Sequence, residues 1–146
     1  MKNIHPAVIL KFLSVILLVE TISFTLCIPV AAVYNESIYP FFTAVLAELI
    51  LAFLFYLPGR KADISVATIR DYYLFVSLGW VIISITGSLP YIMSSSTGSI
   101  IDALFETASG FTTTGASILT DVEILPKSIL FWRSLTHWIG GFGIIA

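Results

Sequence analysis

Ser99-Ile100-Ile101-Asp102-Ala103-Leu104-Phe105-Glu106-Thr107-Ala108-Ser109-Gly110-Phe111-Thr112-Thr113-Thr114-Gly115-Ala116 is the stretch on which the fold turns. It is too short and too polar to cross a bilayer, yet apolar segments long enough to do so stand on both sides of it. Irregular backbone at membrane depth persists only where protein or a water-filled path covers its polar groups. The pattern predicts a re-entrant loop that enters and leaves from one face. An ordinary polar turn between two helices is the competing reading.

Ser99 and Asp102 have the spacing of a capping box, in which a hydroxyl and an acid satisfy the free donors of a helix start. A short helix is expected from there, with Gly110 ending it. Ile101, Leu104, Phe105, Ala108 and Phe111 recur at helical spacing as an apolar face, while Asp102 and Glu106 share another. Such a helix is about 15 Å long, half the hydrocarbon thickness, so its negative pole lies near mid-membrane and favours a cation. In Phe111–Gly115, β-branched Thr prefers extended backbone and Gly accepts angles other residues avoid. An extended strand there aims successive carbonyls at one axis, and four such loops would replace an ion's hydration shell.

Working outward, four stretches are long enough to span a bilayer: Phe12–Val33, Ile38–Leu57, Tyr72–Met93 and Pro126–Ala146. The first two are joined by only Tyr34–Ser37, so they form a helical hairpin. The chain divides into that hairpin (1–58), a basic loop (59–71) and a unit of span, re-entrant helix and span (72–146). The fold class predicted is an all-α integral membrane protein with four transmembrane helices plus one re-entrant pore helix and filter loop. Composition agrees: 58% of residues are hydrophobic and 11% charged, and the mean hydropathy is +1.00, far above an average soluble domain. Lys2, Lys11, Arg60, Lys61 and Arg70 mark one side, against Lys127 and Arg133 on the other, which places the N-terminus in the cytoplasm. The re-entrant loop then dips in from outside.

Val30-Ala31-Ala32 imitates a signal-peptidase site, but the preceding apolar run of about 22 residues exceeds the ~7–15 of a signal sequence. A retained first helix is expected. The last stretch stops at Ile144-Ile145-Ala146 with no basic flank and no polar tail, so it reads as truncated in its final helix. Seven scattered Lys and Arg exclude a nucleic-acid footprint. Cys27 has no partner for a disulfide and reads as a small packing residue. His5 and His137 lack the pairing or spacing of a catalytic or metal cluster, so no enzyme is predicted.

These motifs resemble the Trk/Ktr/HKT family of potassium transporters, in its TrkH-like branch and over its N-terminal part only. The resemblance is carried by Gly87-Ser88-Leu89-Pro90, Asp102–Thr107, Thr112–Ala116, Leu125–Arg133 and Trp138–Ile145, covering about residues 85–146. It implies potassium uptake across the cytoplasmic (inner) membrane, with this chain supplying the first of four membrane–pore–membrane repeats. It implies that backbone carbonyls of Thr112, Thr113, Thr114 and Gly115 ligate K+, that the remaining three repeats close the pore, that the protein is a homodimer in membrane lipid, and that a cytoplasmic nucleotide-binding regulatory subunit sits beneath it. No bound cofactor is implied; K+ is the transported ion. His137 replaces a common Gln and Phe142 a common Met, both expected away from the filter. A small membrane scaffold or accessory protein without conduction is the alternative.

Other residues leave choices open. Glu20 and Glu48 lie inside apolar helices, where ionisable groups are costly; a relay, a structural pair and a neutral carboxyl all fit. Asp102, Glu106 and Arg133 are candidate vestibule residues, against helix capping for Asp102 and an Arg133–Glu106 brace for the pore helix. Gly140-Gly141-Phe142-Gly143 reads as close packing behind the loop rather than a nucleotide site. Trp80, Trp132 and Trp138 are weak candidates for interface anchors.

Overall fold

Helices form where the sequence is apolar or capped. The computed structural model describes residues 4–119 and 121–145, and its elements are α1 (Pro6–Val33), α2 (Tyr39–Gly59), a 3-10 turn (Ile64–Val66), α3 (Ile69–Gly87), α4 (Leu89–Met93), α5 (Ile100–Phe111) and α6 (Lys127–Ile145). Pro6 opens α1, where its missing N–H has no helical partner to lose. The third apolar stretch is not one regular helix: α3 ends at Gly87, and Pro90 lies in the first turn of α4. Among the described residues, three helices are long and apolar enough to cross a membrane, Pro6–Val33, Tyr39–Gly59 and Ile69–Met93. The fourth expected stretch is helical from Lys127 to Ile145, but Arg133, Ser134, Thr136 and His137 make it more polar; Ala146 lies outside the described residues.

Helix α1 is the organising element, packed against α2, α3 and α6. Its side chains Phe24 and Cys27 join Phe41, Ile83, Tyr91, Phe111, Ile129 and Trp132 in the core. Trp132 is no interface anchor: it is fully buried, its ring centroid lies 4.5 Å from that of Phe24, and its indole N–H donates to the Gly87 carbonyl at 2.9 Å. That bond satisfies a carbonyl which the end of α3 leaves without a helical partner. Outside this core, Ile22, Ile50 and Tyr73 are 61%, 62% and 70% exposed, as on helices that are apolar all round and sit in apolar surroundings.

Polar ties fix the helix ends. Asp71 accepts from the His5 backbone N–H (2.8 Å), the His5 ring (3.0 Å) and the Thr68 N–H and hydroxyl (2.8 Å each), joining the starts of α1 and α3. At the other end, Glu36 in the α1–α2 turn caps α6, accepting from the N–H groups of Lys127 (2.6 Å) and Ser128 (2.9 Å) and from the Ser128 hydroxyl. A carboxylate there complements the positive pole of α6. Burial pushes the Glu36 carboxyl up, but the bonds from Ser128 and Lys127 and the Lys127 charge outweigh it and hold it below its ordinary value of 4.5. A group depressed on folding stabilises fully above its unfolded value and loses that contribution as pH falls through the folded one. Glu36→Gln is therefore expected to cost about 1–3 kcal/mol at neutral pH, and less as melting is followed to progressively lower pH.

Candidate functional site

The Ser99–Ala116 segment is built on α5. Ser99, in extended backbone, accepts the Asp102 N–H at 3.1 Å and starts the helix. With 12 residues, α5 is about 18 Å long. It runs through Gly110 and ends at Phe111, so the expected stop at Gly110 is late by one residue. The cause is local. Thr112 caps the helix, Thr113 adopts the left-handed conformation at φ 56°, and two bonds close the end, Thr113 N–H to Gly110 O (2.9 Å) and Thr114 N–H to Ser109 O (3.0 Å). This is a Schellman closure with Thr where Gly is usual.

The extended strand expected from Phe111 is corrected accordingly: Thr112 is helical, Thr113 left-handed, and Gly115 has φ 75°. A β-branched residue at positive φ stores about 1–3 kcal/mol of strain, which persists only where surrounding bonds over-determine it. Here the Thr112 and Thr114 hydroxyls pair at 2.9 Å and the Ser109 hydroxyl donates to the Ala116 carbonyl at 2.6 Å. Among the described residues, no donor reaches the carbonyl oxygens of Thr112, Thr113, Thr114 or Gly115. All four residues are exposed. The turn thus presents four successive free carbonyls at the negative end of a helix, an arrangement that attracts cations.

Behind the turn, the buried face of α5 keeps Phe111 from the apolar stripe its sequence predicted but leaves out Ile101 and Phe105. Ile101 and Phe105 are 76% and 44% exposed, while Ala103, Glu106, Thr107 and Phe111 are at most 1% exposed. Small and polar residues win because α5 lies close to its neighbours. A Cβ on Gly110 would collide with the Thr136 side chain, and one on Gly140 with the backbone of Phe111. The small-residue packing expected for Gly140 is therefore present.

Glu106 is the brace of the assembly and not a free vestibule charge. It is buried and accepts from the Ser117 hydroxyl (2.8 Å), the Ile118 N–H (2.7 Å) and Arg133 Nε (3.3 Å), so it ties α5 to the 116–118 loop and to α6. The Arg133 pairing agrees with the sequence reading. Asp102 is half-buried on the first turn of α5. His137, expected away from Thr112–Gly115, stands beside Gly115: its Cε1 lies 4.0 Å from the position of a Cβ on that residue. Sequence reasoning also missed Glu36 and Ser109, whose partners show only in three dimensions.

The family model for TrkH, described as a cation transport protein, matches residues 37–146, which include the whole of this site. The chain belongs to the TrkH family. It is 39% identical over 133 residues to the Trk system potassium uptake protein TrkH of Escherichia coli, covering 88% of this chain and 27% of that protein. Against TrkH of Halomonas elongata the identity is 33% over 139 residues, covering 94% and 29%. The crystal structure of the potassium transporter TrkH from Vibrio parahaemolyticus superposes with a TM-score of 0.86 at 32% identity, covering 96% of this chain and 30% of that one. This TrkH-family chain thus spans less than a third of the length of these relatives. Members of the family are transporters, not enzymes.

Proposed function

We propose that the full-length protein containing this segment takes up potassium, and that Thr112, Thr113, Thr114 and Gly115 provide the first of four filter segments through their backbone carbonyls. In this reading α5 is a re-entrant pore helix between the spans α3–α4 and α6, and α1 and α2 complete four transmembrane helices. The hairpin (1–58), basic loop (59–71) and first repeat (72–146) are its parts. The N-terminus lies in the cytoplasm, the membrane is the inner one, the protein is a homodimer, and a nucleotide-binding regulatory subunit docks below. Asp102, near the outer mouth, adds negative field at the entrance.

The observation that carries this reading is the braced turn of four carbonyls without donors, since such oxygens are what replaces the hydration shell of an alkali ion. Gly115→Ser in the full-length protein tests it. Serine at φ 75° is strained whatever the space around it, and about 1–3 kcal/mol of strain in the filter is expected to lower rubidium uptake about tenfold and erode the preference over sodium. Unchanged uptake and preference would count against the assignment.

A further inference from the structure

Glu20 of α1 and Glu48 of α2 are both buried in the bundle where these two helices pack together, and nothing in the transport reading uses them. They are 2% and 0% exposed, buried by this chain's own helices. Each has one oxygen within reach of a threonine hydroxyl that it shares with a helix carbonyl: Thr86 Oγ1 lies 2.8 Å from Glu20 Oε2 and 3.0 Å from the Ile82 carbonyl, and Thr21 Oγ1 lies 3.3 Å from Glu48 Oε2 and 2.9 Å from the Leu17 carbonyl. The other oxygen of each, Glu20 Oε1 and Glu48 Oε1, is buried with no partner, and Glu48 reaches across to α1 at Thr21, the residue next to Glu20. Two buried carboxylates with orphaned oxygens are a configuration that proteins do not leave uncompensated.

We propose that Glu20 and Glu48 form an intramembrane proton-binding site, with one proton held between the two carboxyls. One carboxyl carries the proton as an O–H and donates it to the carboxylate opposite. Both orphaned oxygens are then satisfied, and a single negative charge remains, solvated by Thr86 and Thr21. Among the described residues, no ion pair joins a basic side chain to either carboxyl. At the start of α1, His5 is held by Asp71, and on α1 Lys11 is held by the Ala62 carbonyl; on α6, Arg133 is held by Glu106, and no ion pair joins Lys127 or His137 to either glutamate. The other acids on the packed helices, Asp71 of α3 and Glu106 of α5, are engaged in those same pairs, and Asp102 is on the first turn of α5.

An alkali cation fits this place less well than a proton. Beside Glu20 Oε1 the backbone of α3 closes in, and a Cβ on Gly87 would sit 2.7 Å from that oxygen. A proton needs no added room, whereas Na+ needs several further ligands. Gly87 also abuts Phe111, the last residue of α5, so the state of the pair is in packing contact with the base of the filter turn.

The test does not depend on ion conduction. The full-length protein in lipid nanodiscs is treated with the apolar dicyclohexylcarbodiimide, which reacts with protonated carboxyls, and adducts are located by peptide mass spectrometry across a pH series in sodium and in choline salts. An adduct on Glu20 or Glu48 at neutral pH is expected, falling about tenfold for each pH unit beyond its midpoint and indifferent to sodium. In E20Q or E48Q, whose amide supplies the donor, pH-dependent labelling of the remaining carboxyl is expected to vanish. Absence of any adduct on the wild-type pair, or labelling of the remaining carboxyl unchanged in both variants, would overturn the proposal. Protection by sodium would overturn it in favour of a cation site.

Discussion

Gly140→Ala is expected to abolish rubidium uptake by the full-length protein, while Gly141→Ala leaves it close to wild type. The added Cβ at Gly140 meets the carbonyl carbon and Cα of Phe111 at 2.6 and 2.9 Å, whereas at Gly141 nothing of this chain lies within 4 Å. A side chain can rotate away from such a clash. A backbone cannot, and this backbone is the last turn of α5, on which Thr112 is stacked. Overpacking of this kind costs about 1–3 kcal/mol when the neighbours shift, and the shift here moves the Thr112–Gly115 carbonyls to which the proposed function assigns the ion. Thermal melting should therefore show a moderate loss for Gly140→Ala, alongside a transport loss much larger than that stability change accounts for. Equal transport in the two variants would mean that the α5–α6 crossing does not position the turn.

The second large effect is expected at Glu106. Alanine there removes three bonds at once and leaves Arg133, whose side chain is 22% exposed, without its partner. Breaking a buried pair from one side costs about 3–5 kcal/mol, because the surviving charge is left uncompensated. Arg133→Ala is milder, since Glu106 keeps the Ser117 and Ile118 bonds. A double-mutant cycle measured by denaturation in lipid should give a coupling of about 0.5–3 kcal/mol. Glu106→Ala should also free the 116–118 loop, which partial proteolysis reads as faster cleavage. Additive single effects and an unchanged cleavage rate would remove Glu106 from its role as brace.

The residues explain how far the sequence could be read. Apolar runs long enough to span a membrane define α1 and α2 with little ambiguity, and Ser99 marks the start of α5 because an N-cap is chemically local. The Arg133–Glu106 pair was legible because few other charges exist inside these helices to satisfy either one. The buried face of α5 was not. Its apolar stripe suggested Ile101 and Phe105, but close approach of α6 selected the small and bonded residues instead. The turn itself misled for a related reason: β-branched residues prefer extended backbone, and the bonds to Gly110 and Ser109, with the hydroxyl contacts around them, hold Thr113 left-handed. Glu36 capping Lys127 and Ser128 had no local signal, since the partners are 91 and 92 residues apart.

Anomalous diffraction from crystals of the full-length protein grown in rubidium or thallium salt tests the central claim most directly. The account expects ion density on the pore axis within coordinating distance of the carbonyl oxygens of Thr112, Thr113, Thr114 and Gly115. Ion density along the permeation path with none at these four carbonyls would contradict it.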